Sequence, residues 1–200
     1  MSDRATDTQL QILEAARGCL LAEGYAKLST RKVADAAGVP LSQIHYHFGG
    51  KQGLVLALLD HENTRLVDRQ QRMYAADAPL WKRYEQACDF LEDDIASGYV
   101  RVLQELIAAS WADKAVAKIV RAGLMGWVTL LTDLARQAEN QLGTLGPFSP
   151  EEVGVLIGSA FVGAESAYLL GMEKQGSPVR QALRRVGDLI RAMEARQPER

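Results

Sequence analysis

Residues 29–51 read STRKVADAAGVPLSQIHYHFGGK, and their order predicts a helix, a tight turn and a second short helix in DNA-reading proportions. Ser29 or Thr30 can cap the first helix, and Val33, Ala34 and Ala37 fall on one of its faces. Gly38 supplies the left-handed residue that ends it, and Val39 and Pro40 make the turn. The second helix, about residues 41–47, turns Ile44 inward against Ala34, whose small side chain lets the two helices cross closely. That leaves Ser42, Gln43, His45, Tyr46 and His47 facing outward, all able to hydrogen-bond to phosphates or base edges, with Leu41 placed to touch a thymine methyl.

Any two short amphipathic helices joined through a glycine would share part of this pattern, so the surrounding charge matters. Residues 27–51 hold four basic residues (Lys27, Arg31, Lys32, Lys51) and one acid, Asp35, in a chain of formal net charge -2. Arg31 and Lys32 also fall in a first helical turn, where the macrodipole disfavours cations unless an anion is nearby. A phosphate backbone accounts for that placement better than solubility does.

Residues 12–60, ILEAARGCLLAEGYAKLSTRKVADAAGVPLSQIHYHFGGKQGLVLALLD, resemble the DNA-binding domain of the TetR (tetracycline-repressor-like) transcriptional regulators. The likeness runs through an apolar first helix, the pair Gly24 and Tyr25, the segment from Ser29 to Ala34, the Ala-Gly-Val at 37–39, and the ending Ile44, His45, Tyr46, His47, Phe48, Gly49, Gly50, Lys51. It implies phosphate contacts from Thr30, Arg31, Tyr46, His47 and Lys51, with Leu41, Ser42 and Gln43 nearest the bases. The chain departs from the pattern at His45, where tyrosine is usual, at Gln43, where a small hydroxyl residue is usual, and at Pro40 and Leu41, where a polar cap and often a basic residue are usual. An operator of its own is the expected consequence.

Two hundred residues with 48% hydrophobic content can bury a core, and the patterning is helical throughout. The expected fold is all-α: an N-terminal three-helix DNA-binding domain at residues 1–50, a linking helix at 51–73, and a helical ligand-binding and dimerisation domain at 74–200. Residues 2–11 are polar rather than a basic-led apolar leader, so a cytoplasmic protein is expected. Cys19 and Cys88 each lie in an apolar helical pattern, which favours buried free thiols over a disulfide or metal site.

Thr8 and Gln11 form a capping box for the first helix, whose inner face is Ile12, Leu13, Ala16 and Leu20 before Gly24 ends it. The linking helix carries Val55, Leu58, Leu59, Glu62 and Leu66 inward, and a break is expected at 75–79. Helices follow at about 81–97, 99–110 and 113–141, then at 150–174 and 178–195, the last two each opened by a Ser-Pro pair.

Residues 153–172, VGVLIGSAFVGAESAYLLGM, are nearly long enough to cross a bilayer. Glu165 would cost roughly 2.5–3.5 kcal/mol near its centre, and no aromatic belt or basic flank accompanies it, so no membrane is expected. A helix that admits a close neighbour at Gly154 and Gly158 and carries Phe161, beside Leu183, Val186 and Ile190 on the final helix, favours a homodimeric four-helix interface over the alternative that both helices pack only within one subunit. The TetR resemblance implies the same pairing.

The resemblance also implies a cavity for a small apolar effector in the second domain, with candidate lining residues Tyr84, Cys88, Leu103, Ile107, Trp111, Trp127, Leu131, Glu165 and Tyr168. Gly123, one turn from Trp127, is expected beside it. The favoured function is a ligand-responsive regulator, a repressor that holds a palindromic operator as a dimer and is released by a small apolar molecule. The alternative is an all-α small-molecule-binding protein or enzyme that keeps the helix-turn-helix only as scaffold. An enzyme needs a catalytic constellation, yet His45, His47 and His61 are the only histidines and two of them sit on the recognition helix, with no Cys, Asp or Glu beside them for a metal. No cofactor and no metal are expected.

Overall fold

Ser29 accepts a hydrogen bond from the Lys32 amide at 3.3 Å and starts helix α2, Thr30–Ala37, and Gly38 ends it at φ 64°. The next helix, α3, Leu41–Phe48, begins at Pro40, which has no side chain to cap with, and closes at Gly49 in the same left-handed conformation. This computed structural model describes residues 2–74 and 78–196. Among them the remaining helices are α1 (Ser2–Glu23), α4 (Lys51–Tyr74), α5 (Leu80–Ser97), α6 (Tyr99–Ser110), α7 (Lys114–Leu142), α8 (Pro150–Leu169) and α9 (Val179–Glu194), with two short 3-10 turns at Tyr25–Lys27 and Met172–Gln175. No strand occurs among the described residues, as the period of the apolar positions predicts.

Helix boundaries depart from the sequence reading in three places. Helix α1 already runs from Ser2, so Thr8 and Gln11 lie inside it rather than at a cap, and the Gln11 amide instead donates to the Ala37 carbonyl at 2.8 Å, satisfying one of the orphan acceptors at the end of α2. The helix expected over 150–174 stops at Leu169, because Gly171 takes φ 70° and the chain tightens into the 3-10 turn. Helix α9 receives no cap from Ser177; the Arg180 amide is accepted at 3.0 Å by the Glu173 carboxylate. The break expected at 75–79 falls partly on residues 75–77, outside the described residues.

Contacts divide the chain into two compact units. The first combines residues 1–65 with 98–123, and the second combines 66–97 with 124–200. The chain therefore changes unit three times: within α4, between α5 and α6, and within α7. The unit that contains the helix-turn-helix is larger than residues 1–50, since it takes in α6 and the start of α7.

In the first unit, Ile12, Ala16 and Leu20 of α1, Val33 of α2, Ile44 of α3, Leu54 and Leu58 of α4 and Leu106 of α6 are buried to 2% exposure or less. Full burial of each larger side chain contributes about 1.5–3 kcal/mol. Tyr25, just past α1, is held by its amide donating to Glu105 of α6 at 3.1 Å. Arg17 of α1 meets the buried Glu62 of α4 at 3.5 Å, which gives that acid the partner burial demands.

In the second unit, Arg184 of α9 reaches Asp89 and Glu92 of α5 at 2.7 and 2.8 Å, and the Glu194 carboxylate accepts the Leu80 and Trp81 amides at 2.9 and 3.1 Å. An acid is thereby placed on the positive end of α5. Helix α8 opens with the expected capping box: the Glu152 amide donates to Ser149 Oγ at 3.2 Å and the Ser149 amide to the Glu152 carboxylate at 2.8 Å.

Candidate nucleic-acid interface

The recognition surface is built from the inside out. Ile44 is fully buried on α3 and Ala34 nearly so on α2, so the opposite face of α3 is forced outward by helical periodicity. Ser42, His45 and Tyr46 are exposed there, Tyr46 to 81%, while Leu41, Gln43 and His47 are half-buried. Arg31 is exposed on the first turn of α2 beside the half-buried Thr30. These residues occupy one unit and lie on two adjacent helices.

His47 and the nearby cations Lys51 and Lys32 are also engaged within the protein. The His47 ring lies 3.3 Å from the Gln9 side-chain amide and packs edge-on against Tyr46. Lys51 donates to the Tyr25 carbonyl at 2.9 Å and sits 4.6 Å above the Tyr25 ring, which ties the start of α4 to the loop after α1. Lys32 is hydrogen-bonded to Glu23 on the surface, and the ammonium holds that carboxyl below its ordinary range. Lys27 and Arg31 have no ion-pair partner among the described residues, so cationic charge remains available around the exposed face.

Sequence reasoning passed over Gly53. A Cβ there would fall 1.8 Å from the Phe48 carbonyl oxygen, so the last turn of α3 and the first turn of α4 can meet only over a hydrogen atom. The signal was present in the sequence as a glycine inside a helical pattern, which usually marks close backbone approach.

The expected effector residues fall into separate places. Tyr84, Trp127 and Phe161 meet in the second unit, with Phe161 edge-on to both other rings at centroid distances of 6.0 Å. Cys88, Leu131 and Glu165 are buried in the same unit, and Tyr168 is half-buried under the Arg180 guanidinium. Leu103 and Ile107 belong instead to α6 in the first unit. Trp111 is 83% exposed at the end of α6 and lines nothing. Gly123 also belongs to the first unit, where a Cβ would lie 2.2 Å from the Asn63 amide nitrogen of α4 rather than beside a cavity. Among the buried polar atoms of the second unit, Arg69 Nε, Gln70 Oε1 and Trp127 Nε1 have no hydrogen-bond partner among the described residues. No cluster of His, Cys, Asp and Glu that could hold a metal occurs among the described residues.

The dimer expectation needs correction at four residues. Gly154, Gly158 and Phe161 point into their own subunit: a Cβ at Gly154 would be 2.9 Å from the Thr132 amide nitrogen, and one at Gly158 would touch Val128 and Leu131 of α7. Leu183 is buried as well, while Val186 and Ile190 are half-buried. The outward face of α8 carries Val155, Leu156, Ser159, Ala160 and Gly163, and α9 adds Leu189, all exposed. Both faces of α8 are apolar, so its sequence could not distinguish the inner from the outer one.

Residues 12–58 match the family model described as bacterial regulatory proteins, tetR family. The chain is 35% identical over 66 residues to the HTH-type transcriptional repressor AcnR of Corynebacterium glutamicum, covering 33% of this chain and 35% of that one. It is 30% identical over 120 residues to the HTH-type transcriptional regulator CymR of Pseudomonas putida, covering 58% and 57%. The match to AcnR thus spans about a third of that relative's length. A TetR transcription regulator from Haloarcula marismortui superposes with a TM-score of 0.77 over 92% of this chain and 96% of its own at 19% identity, a likeness of fold.

Proposed function

We propose that this protein, whose residues 12–58 match the family model of bacterial regulatory proteins, tetR family, is a cytoplasmic transcriptional repressor that binds a palindromic operator as a homodimer and is released by a small apolar effector. The observation that carries the reading is the outward face of α3, where Ser42, His45 and Tyr46 are exposed over a buried Ile44, with Arg31 exposed on the first turn of the preceding helix. Arg31, Thr30, Tyr46, His47 and Lys51 are assigned to phosphates, and Leu41, Ser42, Gln43 and His45 to base edges.

Dimerisation is supported by the exposed apolar stripe of Val155, Leu156, Ala160 and Leu189, a surface larger than isolated exposed residues would make. Two short recognition helices related by a two-fold axis double a readout that one alone leaves unspecific. The effector site is assigned to the second unit around Tyr84, Trp127 and Phe161. Trp127 Nε1 has no hydrogen-bond partner among the described residues, which favours an apolar molecule that carries a hydrogen-bond acceptor. Because α4 and α7 each run from one unit into the other, an effector that biases either helix reaches the unit of the reading head.

The test is a gel shift with the DNA upstream of the protein's own gene, followed by footprinting. A protected, pseudo-symmetric site bound in preference to random DNA is the expected result. Protection of a single asymmetric site by one subunit would refute the dimer, and no preference over random DNA would refute the operator.

A further inference from the structure

The first unit carries a second cationic surface, outside the helix-turn-helix itself. Lys114, Lys118 and Arg121 recur at helical spacing on α7, so they share one face, and all three are exposed. Trp111, immediately before them, is exposed to 83%, and Arg101 of α6 is exposed too. Residues 98–123 hold these four cations (Arg101, Lys114, Lys118, Arg121) against two acids (Glu105, Asp113), a net charge of +2 in a chain of net charge -2.

Both acids are turned inward. Glu105 accepts the Tyr25 amide at 3.1 Å. Asp113 caps α7 by accepting the Ala115 and Val116 amides at 2.9 and 3.2 Å. None of the four cations has an ion-pair partner among the described residues. Unpaired like charges close together on one helix repel one another, which an anionic partner would relieve.

Position identifies the partner. The Gln52 amide donates to Asp113 at 3.1 Å, so α7 starts beside the first turn of α4, next to Lys51 and directly after the recognition helix. Gly123 then packs on Asn63, about three turns along both helices, so α4 and α7 run side by side in the same direction. The cationic face begins level with the reading head and belongs to the same compact unit.

Resting on the operator-binding reading above, we propose that Trp111, Lys114, Lys118 and Arg121 form a second DNA contact, gripping the sugar–phosphate backbone outside the base pairs that α3 reads. Cations held on a helix suit a partner that carries one negative charge per about 1.7 Å of its axis, and the exposed indole can pack against deoxyribose. The contact carries no sequence information. It adds affinity, salt dependence and a preference for long over short duplexes.

The experiment compares a duplex trimmed to the pseudo-palindromic base pairs that α3 reads, within the site found upstream of the protein's own gene, with the same duplex lengthened by about 10 base pairs, one helical turn, at each end. Affinities are measured by fluorescence anisotropy between about 50 and 200 mM salt, for wild type and for a K114A/K118A/R121A variant whose folding is checked by circular dichroism. Wild type is expected to bind the long duplex with a log–log salt slope steeper by roughly 4, at about 0.9 per phosphate and two added contacts in each of two subunits. The variant loses that increment and keeps its affinity for the trimmed duplex. Comparison of wild type with W111F should show Trp111 shielded from iodide quenching by the long duplex alone. Equal wild-type slopes on the two duplexes, or an equal loss by the variant on both, would overturn the second contact and leave operator binding intact. Failure of wild type to prefer either duplex over random DNA would instead overturn the operator reading, and the second contact with it.

Discussion

Gln43 lies on the recognition helix and Lys51 begins the helix after it, and the two should fail differently. Gln43 is half-buried on α3, and if it reaches a base edge, Gln43→Ala costs on the order of 1–3 kcal/mol on the operator and little on random DNA. Equal losses on both would reassign it to the backbone. Lys51→Ala removes a cation near the phosphates and should lower the salt slope by about one on every DNA. It also removes the bond to the Tyr25 carbonyl and the contact with the Tyr25 ring, so a melting temperature lower by a few degrees is expected alongside, at about 2–4 °C per kcal/mol. Calorimetry showing an unchanged melting temperature would make Lys51 a phosphate contact alone. Cys88 offers a pH test. Burial pushes its thiol up to about 11 from an ordinary value of 9.0. A raised value leaves less thiolate at any pH below it, so alkylation of Cys88 should be slow at neutral pH and rise about tenfold per pH unit until near that value. Alkylation already at its plateau at pH 8 would contradict the burial.

At the scale of helices, two glycines and one valine distinguish packing from assembly. Gly53 allows α4 to leave α3 over the Phe48 carbonyl, and Gly53→Ala forces that joint apart. The expected result is a loss of about 1–3 kcal/mol in stability with weakened binding to all DNA, read by thermal melting and gel shift. Gly154 lets α8 lie on the Thr132 backbone of α7, so Gly154→Val should destabilise the protein. Val155, one residue on, is 52% exposed, and Val155→Arg should leave the melting of the folded subunit nearly unchanged at low concentration while shifting sedimentation from dimer to monomer. A Val155→Arg protein that still sediments as a dimer would place the interface elsewhere. Substituting Gly158 would not test the interface, because that position faces Val128 and Leu131 of its own subunit.

For the whole molecule, regulation has to be reciprocal. If an effector in the second unit releases the operator, the operator must weaken effector binding by the same factor, commonly about 5–150-fold. Titration calorimetry of an identified effector, with and without operator duplex, should show that difference; the same affinity in both would leave DNA binding standing and remove the release mechanism. An effector bound in the second unit would have more than one covalent route to the first unit. Besides α4, the continuous helix α7 joins the two units, so a loss of coupling is expected from variants along either helix.

Local chemistry determines much of this protein directly. The caps at Ser29 and Ser149, the left-handed Gly38 and Gly143, and the apolar spacing of α1 through α9 depend on residues within a few positions of one another, and the helix-turn-helix with its inward Ile44 and outward Tyr46 follows from the same short range. Tertiary packing decided the rest. A helix apolar all round, such as α8, does not say which face meets α7 and which stays exposed; that depends on Thr132, distant in sequence, lying where a Cβ at Gly154 would clash. Trp111 has the spacing of a core residue and is left in solvent because α6 stops just before it. Residues 98–123 join the unit of the reading head through Glu105, Tyr99 and Asp113, which reach Tyr25, Asn63 and Gln52, all contacts between segments far apart in the chain. Periodicity reports that a face is buried, and only the folded chain determines against what.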